Sequence, residues 1–271
     1  MNTSMNSKKY FTNKLVVFLL FFEVLIALNM VLQNSNEEGA EMGKLNTPII
    51  VEFPLRGEWL SPNTPGTKIP SHGTNKLGTT YAYDFIQVDW NRAGLPAYRV
   101  SFPEYLLFGA PLNKYYCWGQ KVYAPCGGTV VVAQDGCEER TRTNLFYDLS
   151  NAYKNAHYFD PTTDDVQSVA GNYIVIEYSE NIFAVLCHLQ TGSLQVSVGQ
   201  KVKAGDFIGQ VGHSGNSFAP HLHFQLMDSW DITVANGLLC AFEKYEVYEN
   251  GEWKTVENGI PTNQERIRFQ E

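Results

Sequence analysis

The sequence predicts a mainly β protein, an antiparallel sheet or sandwich bordering a groove, with a membrane-anchor helix ahead of it. Two observations carry the β assignment. Short runs rich in Val, Ile, Tyr and Phe recur between Gly, Asn, Pro and Ser, and no helical period persists long enough for a large helix. A third carries the anchor: Lys8, Lys9 and Lys14 precede the 18-residue apolar run LVVFLLFFEVLIALNMVL (15–32).

Residues 1–14 read as a cytoplasmic basic n-region and 15–32 as a signal anchor, or as a signal peptide if it is removed. Glu23 at mid-bilayer costs roughly 2.5–3.5 kcal/mol, which the surrounding Leu, Phe and Val offset. No small-x-small cleavage site follows the run, and no cysteine stands just behind it to take a lipid. The expected location is therefore the cell membrane, single-pass, with the rest of the chain extracytoplasmic, or secreted after cleavage. Residues 33–47 form a polar linker, 48–250 one domain with loop insertions, and 251–271 a C-terminal extension.

Within the domain, strands are expected at 80–88, 128–134, 172–178, 183–189 and 221–227. The turn residues YSEN between the third and fourth imply a hairpin. Residues 144–155 allow a short helix, and 91–118 and 135–170 are long excursions expected to cover a groove. In 196–217, glycines at 199, 205, 209, 212 and 215 suit tight turns between very short strands, which place the next strand rather than perform chemistry.

Apolar content of 44% with 18% charged residues excludes wholesale disorder. The net charge of −8 excludes nucleic acid as a partner and gives no attraction toward anionic membranes or wall polymers. Five cysteines are an odd number, and no pair has zinc-knuckle C-x-x-C spacing. One or two disulfides among Cys117, Cys126 and Cys137 stay open, while Cys187 reads as a small core residue.

Three of the six histidines sit in the most apolar strands, His188 in FAVLCHL and the pair His221 and His223 in HLHFQL. Alternation puts His221, His223 and Gln225 on one face and Leu222, Phe224 and Leu226 on the other. Two buried imidazoles side by side need a shared partner, and a divalent metal is the obvious one. Candidate further ligands lie upstream: His72 in a Ser/Gly/Thr-rich loop, and Asp84 inside a strand, where an ionised carboxylate needs a cation or several donors. His213 reads as an exposed loop residue and His157 as structural or solvated. Trp59, Tyr81, Tyr83 and Trp118 read as core, with one or two bordering the cleft.

The run CHLQTGSLQVSVGQKVKAGDFIGQVGHSGNSFAPHLHFQL (187–226) closely resembles the lysostaphin/LytM-type zinc endopeptidases of peptidoglycan. They share a His-Leu, a Gly-x-x-Val-x-x-Gly-x-x-Ile-Gly stretch, a glycine-rich turn and His-x-His. The resemblance implies a lysostaphin-like β-sheet groove domain over 48–250 and a Zn2+ ion held by His72, Asp84 and His223. It also implies a non-ligand catalytic pair, His188 and His221. A water on such a zinc becomes acidic enough to attack a peptide carbonyl near neutral pH. The implied substrate is a peptidoglycan peptide. One departure stands out: twelve positions separate His72 from Asp84, where the family usually has four. Two alternatives stay open, a catalytically inactive wall-binding or partner-activating module of the same fold, and a D-Ala-D-Ala-type zinc peptidase.

Overall fold

Alternating Val, Ile and aromatic residues build the expected strands, because a pleated surface accepts branched and aromatic side chains on a buried face. The computed structural model describes residues 47–270, apart from the side chains of residues 152, 156 and 157. The n-region, the apolar run 15–32 and the linker up to residue 46 lie outside the described residues. Among the described residues, no helix is long and apolar enough to cross a membrane.

The strands in chain order are β1 (Ile49–Val51), β2 (Gly57–Asn63), β3 (Tyr83–Ile86), β4 (Lys121–Tyr123), β5 (Gly128–Gln134), β6 (Asn172–Ser179) and β7 (Ile182–Leu189). They continue with β8 (Lys201–Val202), β9 (Phe207–Gln210), β10 (Leu222–Met227), β11 (Gly237–Leu238), β12 (Cys240–Glu249), β13 (Glu252–Gly259) and β14 (Ile267–Phe269). A large sheet runs β1-β12-β14-β2-β3-β10-β7-β6-β5-β8, with β13 on β12 and β11 on β10, and β4 pairs with β9 separately. β1 joins β12 in parallel, and the other named pairings are antiparallel. The YSEN hairpin forms as expected, with Ser179 opposite Ile182. The glycine-rich stretch yields only the short β8 and β9. Residues beyond 250 supply β13 and β14 to the same sheet.

The middle of the sheet is buried on both faces. On one, Tyr83, Phe85, Leu186, Leu222, Phe224 and Leu226 join the main core, where Phe53 meets Phe85 and Phe242 edge-on at 5.0 and 4.9 Å. Edge-to-face rings of this kind add about 0.5–1.5 kcal/mol to the area they bury. On the other face lie Val175, Val185, Cys187 and Met227. Cys187 is thus a core residue, as expected.

The two excursions fold back on each other. In the first, helix α1 (Phe102–Phe108) starts at Ser101, whose hydroxyl accepts from the Glu104 N–H. In the second, α2 (Leu145–Tyr158) is capped by Asn144, which accepts from the Tyr147 N–H, and runs three residues past the expected end at 155. A further turn, α3 (Gln167–Ala170), precedes β6. The Thr143 N–H donates to Ala110 O at 2.9 Å, and Tyr115 Oη meets Thr143 Oγ1 at 2.9 Å, so the excursions are stapled together.

The question left open for Cys117, Cys126 and Cys137 is answered: all five cysteines are free thiols. Burial pushes Cys117 and Cys126 up to about 12, and the Cys117 thiol donates to Pro220 O at 2.9 Å. These are protonated packing groups.

Candidate metal centre

Register places the first two candidates together. β3 and β10 pair so that Asp84 lies directly opposite His223, and β10 in turn sets His223 opposite Cys187 of β7. Tyr83 and Phe85 point into the main core, so alternation turns Asp84 to the other face, where His221, His223 and Gln225 also lie. The expected division of β10 into an apolar and an imidazole face holds.

His72 joins them despite the twelve-residue spacing. The Ser71 N–H donates to Thr80 O at 2.9 Å, closing the loop at the mouth of β3, and a 3₁₀ stretch (Lys76–Tyr81) takes up the intervening chain. His72 Nε2 then stands 3.0 Å from Asp84 Oδ2. His223 Nδ1 stands 2.9 Å from Asp84 Oδ1, and His221 Nε2 is 3.5 Å from the same oxygen. Asn63 of β2 adds a donor to Oδ2 at 2.7 Å.

The hydrogen-bond partners settle which ring nitrogens carry protons. Gln225 Nε2 donates to Leu77 O at 2.8 Å, so its Oε1 faces His223 Nε2, 2.9 Å away, as an acceptor. His223 Nε2 is therefore protonated, and in the neutral ring Nδ1 is a bare lone pair beside Asp84. His72 repeats the pattern. Its Nδ1 meets Ser71 Oγ at 3.0 Å, and that hydroxyl donates to Thr79 O, so Nδ1 is the donor and Nε2 is bare. Two imidazole lone pairs thus converge on a carboxylate, an arrangement that repels unless a cation sits among them. One ligand atom from each of His72, Asp84 and His223 lies within 4.8 Å of the others. Two nitrogens and one oxygen, with the other ring nitrogens held by neighbours, suit zinc.

His188 reaches the site by a different route. Strict alternation would send it to the main core with Ala184 and Leu186. A bulge intervenes where the register slips between Asn172 opposite Leu189 and Ile174 opposite Leu186, and His188 takes φ +59°. Leu189 drops into the main core instead, and the His188 ring lies 4.7 Å from that of His221. His188 Nδ1–H donates to Ser214 O at 2.9 Å, and His221 Nδ1–H to Ala219 O at 2.8 Å, leaving each Nε2 as the bare nitrogen. His188, His221 and His223 also each offer a nitrogen within 4.8 Å of the others.

Burial raises the Asp84 carboxyl, but the neighbouring imidazoles of His72, His221 and His223 outweigh it and hold Asp84 well below the usual carboxylate range. Burial, reinforced by His221 and His223, keeps His188 well below an ordinary histidine. Burial also lowers His221, yet the charge of Asp84, helped by the Ala219 carbonyl, prevails and raises it.

Trp59 and Tyr83 are core, whereas Tyr81 and Trp118 are half-buried. His213 is in a turn as expected but is buried, not exposed, at 2% accessibility. The reason is polar enclosure: Arg140 Nη2 donates to its Nε2 at 2.8 Å, Ser217 Oγ receives its Nδ1–H at 3.0 Å, and its backbone N–H reaches Glu139 Oε1 at 2.5 Å. Burial first, then Arg140 and His221, push it down to about 3. Asn63, Glu139, Arg140 and Asp148 were not singled out from the sequence, where each reads as an ordinary turn or helix residue. Gln225 carried a signal, its place on the imidazole face.

Fold and site together define a mainly β, antiparallel-rich protein whose central sheet carries a candidate divalent-metal centre of histidine and aspartate. Residues 161–234 match Peptidase family M23. The peptidoglycan DD-endopeptidase ShyA of Vibrio cholerae is 40% identical over 58 residues, covering 21% of this chain and 13% of that protein. The glycyl-glycine endopeptidase ALE-1 of Staphylococcus capitis is 35% identical over 77 residues, 28% of this chain and 21% of that protein. The matches therefore span less than a quarter of these relatives' own lengths. The lysostaphin catalytic domain from Staphylococcus simulans aligns in structure with a TM-score of 0.33 and 19% identity, covering 67% of this chain and 88% of that one. The family match contains His188, His221 and His223. His72 and Asp84 lie outside it.

Proposed function

We propose that this protein is a zinc-dependent endopeptidase that hydrolyses peptide bonds in cell-wall peptidoglycan. The observation that carries the reading is the convergence of the bare His72 Nε2 and His223 Nδ1 on the Asp84 carboxylate. The substrate class rests on the relatives named as peptidoglycan and glycyl-glycine endopeptidases. His72, Asp84 and His223 would hold the ion, which when bound supplies Lewis acidity and acidifies water toward neutrality.

The remaining work falls to the chain. Gln225 and Ser71 hold the proton on the outer nitrogen of His223 and His72 and so keep the inner nitrogens free. His221 and His188 each present Nε2 with Nδ1 anchored on a backbone carbonyl, so each can take or give a proton at Nε2 or hydrogen-bond a developing oxyanion. In this reading the apolar run 15–32 holds the domain at the outer face of the membrane.

The test uses the full chain. Zinc is measured by elemental analysis, and lysis of purified sacculi and cleavage of glycine-rich peptides are followed. Stoichiometric zinc with release of peptide fragments is expected. A zinc-loaded protein inert on every peptidoglycan type and on those peptides would overturn the reading, as would a protein that takes up no divalent metal. Extraction of membranes at alkaline pH tests the anchor, which should resist it.

A further inference from the structure

The turn between β9 and β10 carries His221 but contains no regular structure, so side-chain hydrogen bonds decide its shape. Ser214 Oγ donates to Leu189 O and receives the Asn172 N–H, Asn216 N–H donates to Val169 O, and Asn151 of α2 reaches Asn216 at 3.1 Å. One chain of bonds has a forced direction. Arg140 has donors only and does not lose its proton in proteins. Its Nη2 bonds Asp148, whose side chain is 1% exposed, and donates to His213 Nε2 at 2.8 Å. That bond assigns the His213 proton to Nδ1, which donates to Ser217 Oγ at 3.0 Å. The Ser217 hydroxyl then donates to Ala219 O at 2.8 Å. It is thereby turned away from His221 Nδ1, which stands 3.2 Å from the same oxygen and donates to Ala219 O instead.

We infer that Arg140, His213 and Ser217 form a positioning relay that fixes the tautomer of His221, with its proton on Nδ1 and its Nε2 bare toward the metal centre. The inference rests on the peptidase reading only for its effect on rate; the tautomer itself is independent of substrate. Asp148 anchors the relay. It also receives the Asn144 N–H at 2.8 Å, and the Arg140 guanidinium stacks on Tyr147 at 4.6 Å, so the arginine is held from both sides. Arg140 and Asp148 belong to the second excursion, outside the stretch that matches the family. The relay is therefore a device through which the second excursion reaches the site. Without it the Ser217 hydroxyl is free to swing to His221 Nδ1 and to admit the opposite tautomer, in which Nε2 carries the proton and cannot accept another.

The experiment compares His213→Leu, His213→Gln and Arg140→Met in the zinc-loaded full chain. Glutamine can accept from Arg140 through Oε1 and donate to Ser217 through Nε2, so it preserves the direction of the relay; leucine cannot. Long-range proton–nitrogen NMR correlations report the His221 tautomer, and kinetics on a released muropeptide report kcat and KM. Expected are a single Nδ1–H form in the parent protein and in His213→Gln. His213→Leu and Arg140→Met should gain a second, Nε2–H population, with kcat down about 10- to 100-fold, KM within about twofold and zinc content unchanged. An unaltered His221 tautomer in His213→Leu overturns the inference whatever the rate does, as does a glutamine variant that loses as much as leucine. If His213→Leu does not fold, Arg140→Met carries the same readout. A parent protein with the Nδ1–H signature but no hydrolysis would sink the peptidase reading and leave the relay standing.

Discussion

Among the described residues lie two buried histidine–aspartate clusters, and they differ in one respect. The cluster around His213 contains its own cation: Arg140 bridges Asp148 and His213, and each polar atom named there has its partner within the fold. The cluster around Asp84 has no such cation. Its bare ring nitrogens face a carboxylate at 2.9 and 3.0 Å, and its charge balance must come from outside. A buried ion pair that is complete holds a shape. One left incomplete is a binding site, because the desolvated carboxylate gains more from an ion than water would give it.

The largest effect should come from breaking the incomplete cluster. His223→Ala is expected to abolish stoichiometric zinc and to lower peptidase activity by about 10³-fold or more, since several kcal/mol of metal stabilisation disappear. It should also abolish the rise in melting temperature that zinc gives the parent, a rise worth about 4 kcal/mol at a zinc concentration 1,000 times Kd. Calorimetry with and without chelator reads this directly. Gln225→Ala sharpens the comparison by loosening His223 without removing it; zinc affinity measured by competition should fall about 10- to 100-fold.

Breaking the complete cluster should act on stability and leave the metal alone. Asp148→Asn removes the carboxylate partner of a guanidinium that is 35% exposed, so the loss should be moderate, about 2 kcal/mol in urea unfolding, with zinc content unchanged. The last effect is a slope. His213 is held at about 3 in the fold and titrates near 6.5 when unfolded, so between these values the unfolded chain binds a proton that the native chain does not. Its contribution is whole above pH 6.5 and lost as pH falls toward 3, at up to about 1.4 kcal/mol per unit. His213→Gln should make the acid side of the stability curve shallower by that amount. An equal slope in both proteins would mean that His213 is already charged in the fold.

The β architecture was legible because period-2 patterning and turn residues are local signals. Strands 128–134, 172–178 and 183–189 were expected almost to the residue, and β10 only one residue early. The imidazole face of β10 was legible for the same reason. The His72 loop was harder, because nothing local in SHGTNKLGTT tells that a 3₁₀ stretch will fold the chain back to set Ser71 against Thr80. The burial of His213 was not legible at all. Its partners Arg140 and Glu139 stand 73 and 74 positions away, and a histidine after glycine in a turn looks the same whether or not an excursion closes over it.

By itself the sequence determined which residues can do chemistry here and on which strand face His221, His223 and Asp84 must lie, since alternation and register follow from the backbone of each strand. Tertiary structure alone decided that His188 turns to that face, because a bulge with a left-handed residue at 188 reverses the order that alternation prescribes. It alone decided the proton positions as well. A ring nitrogen is a donor or an acceptor according to what stands across from it, and Gln225, Ser71 and Arg140 take up those places only once strands and loops remote in the chain have packed together.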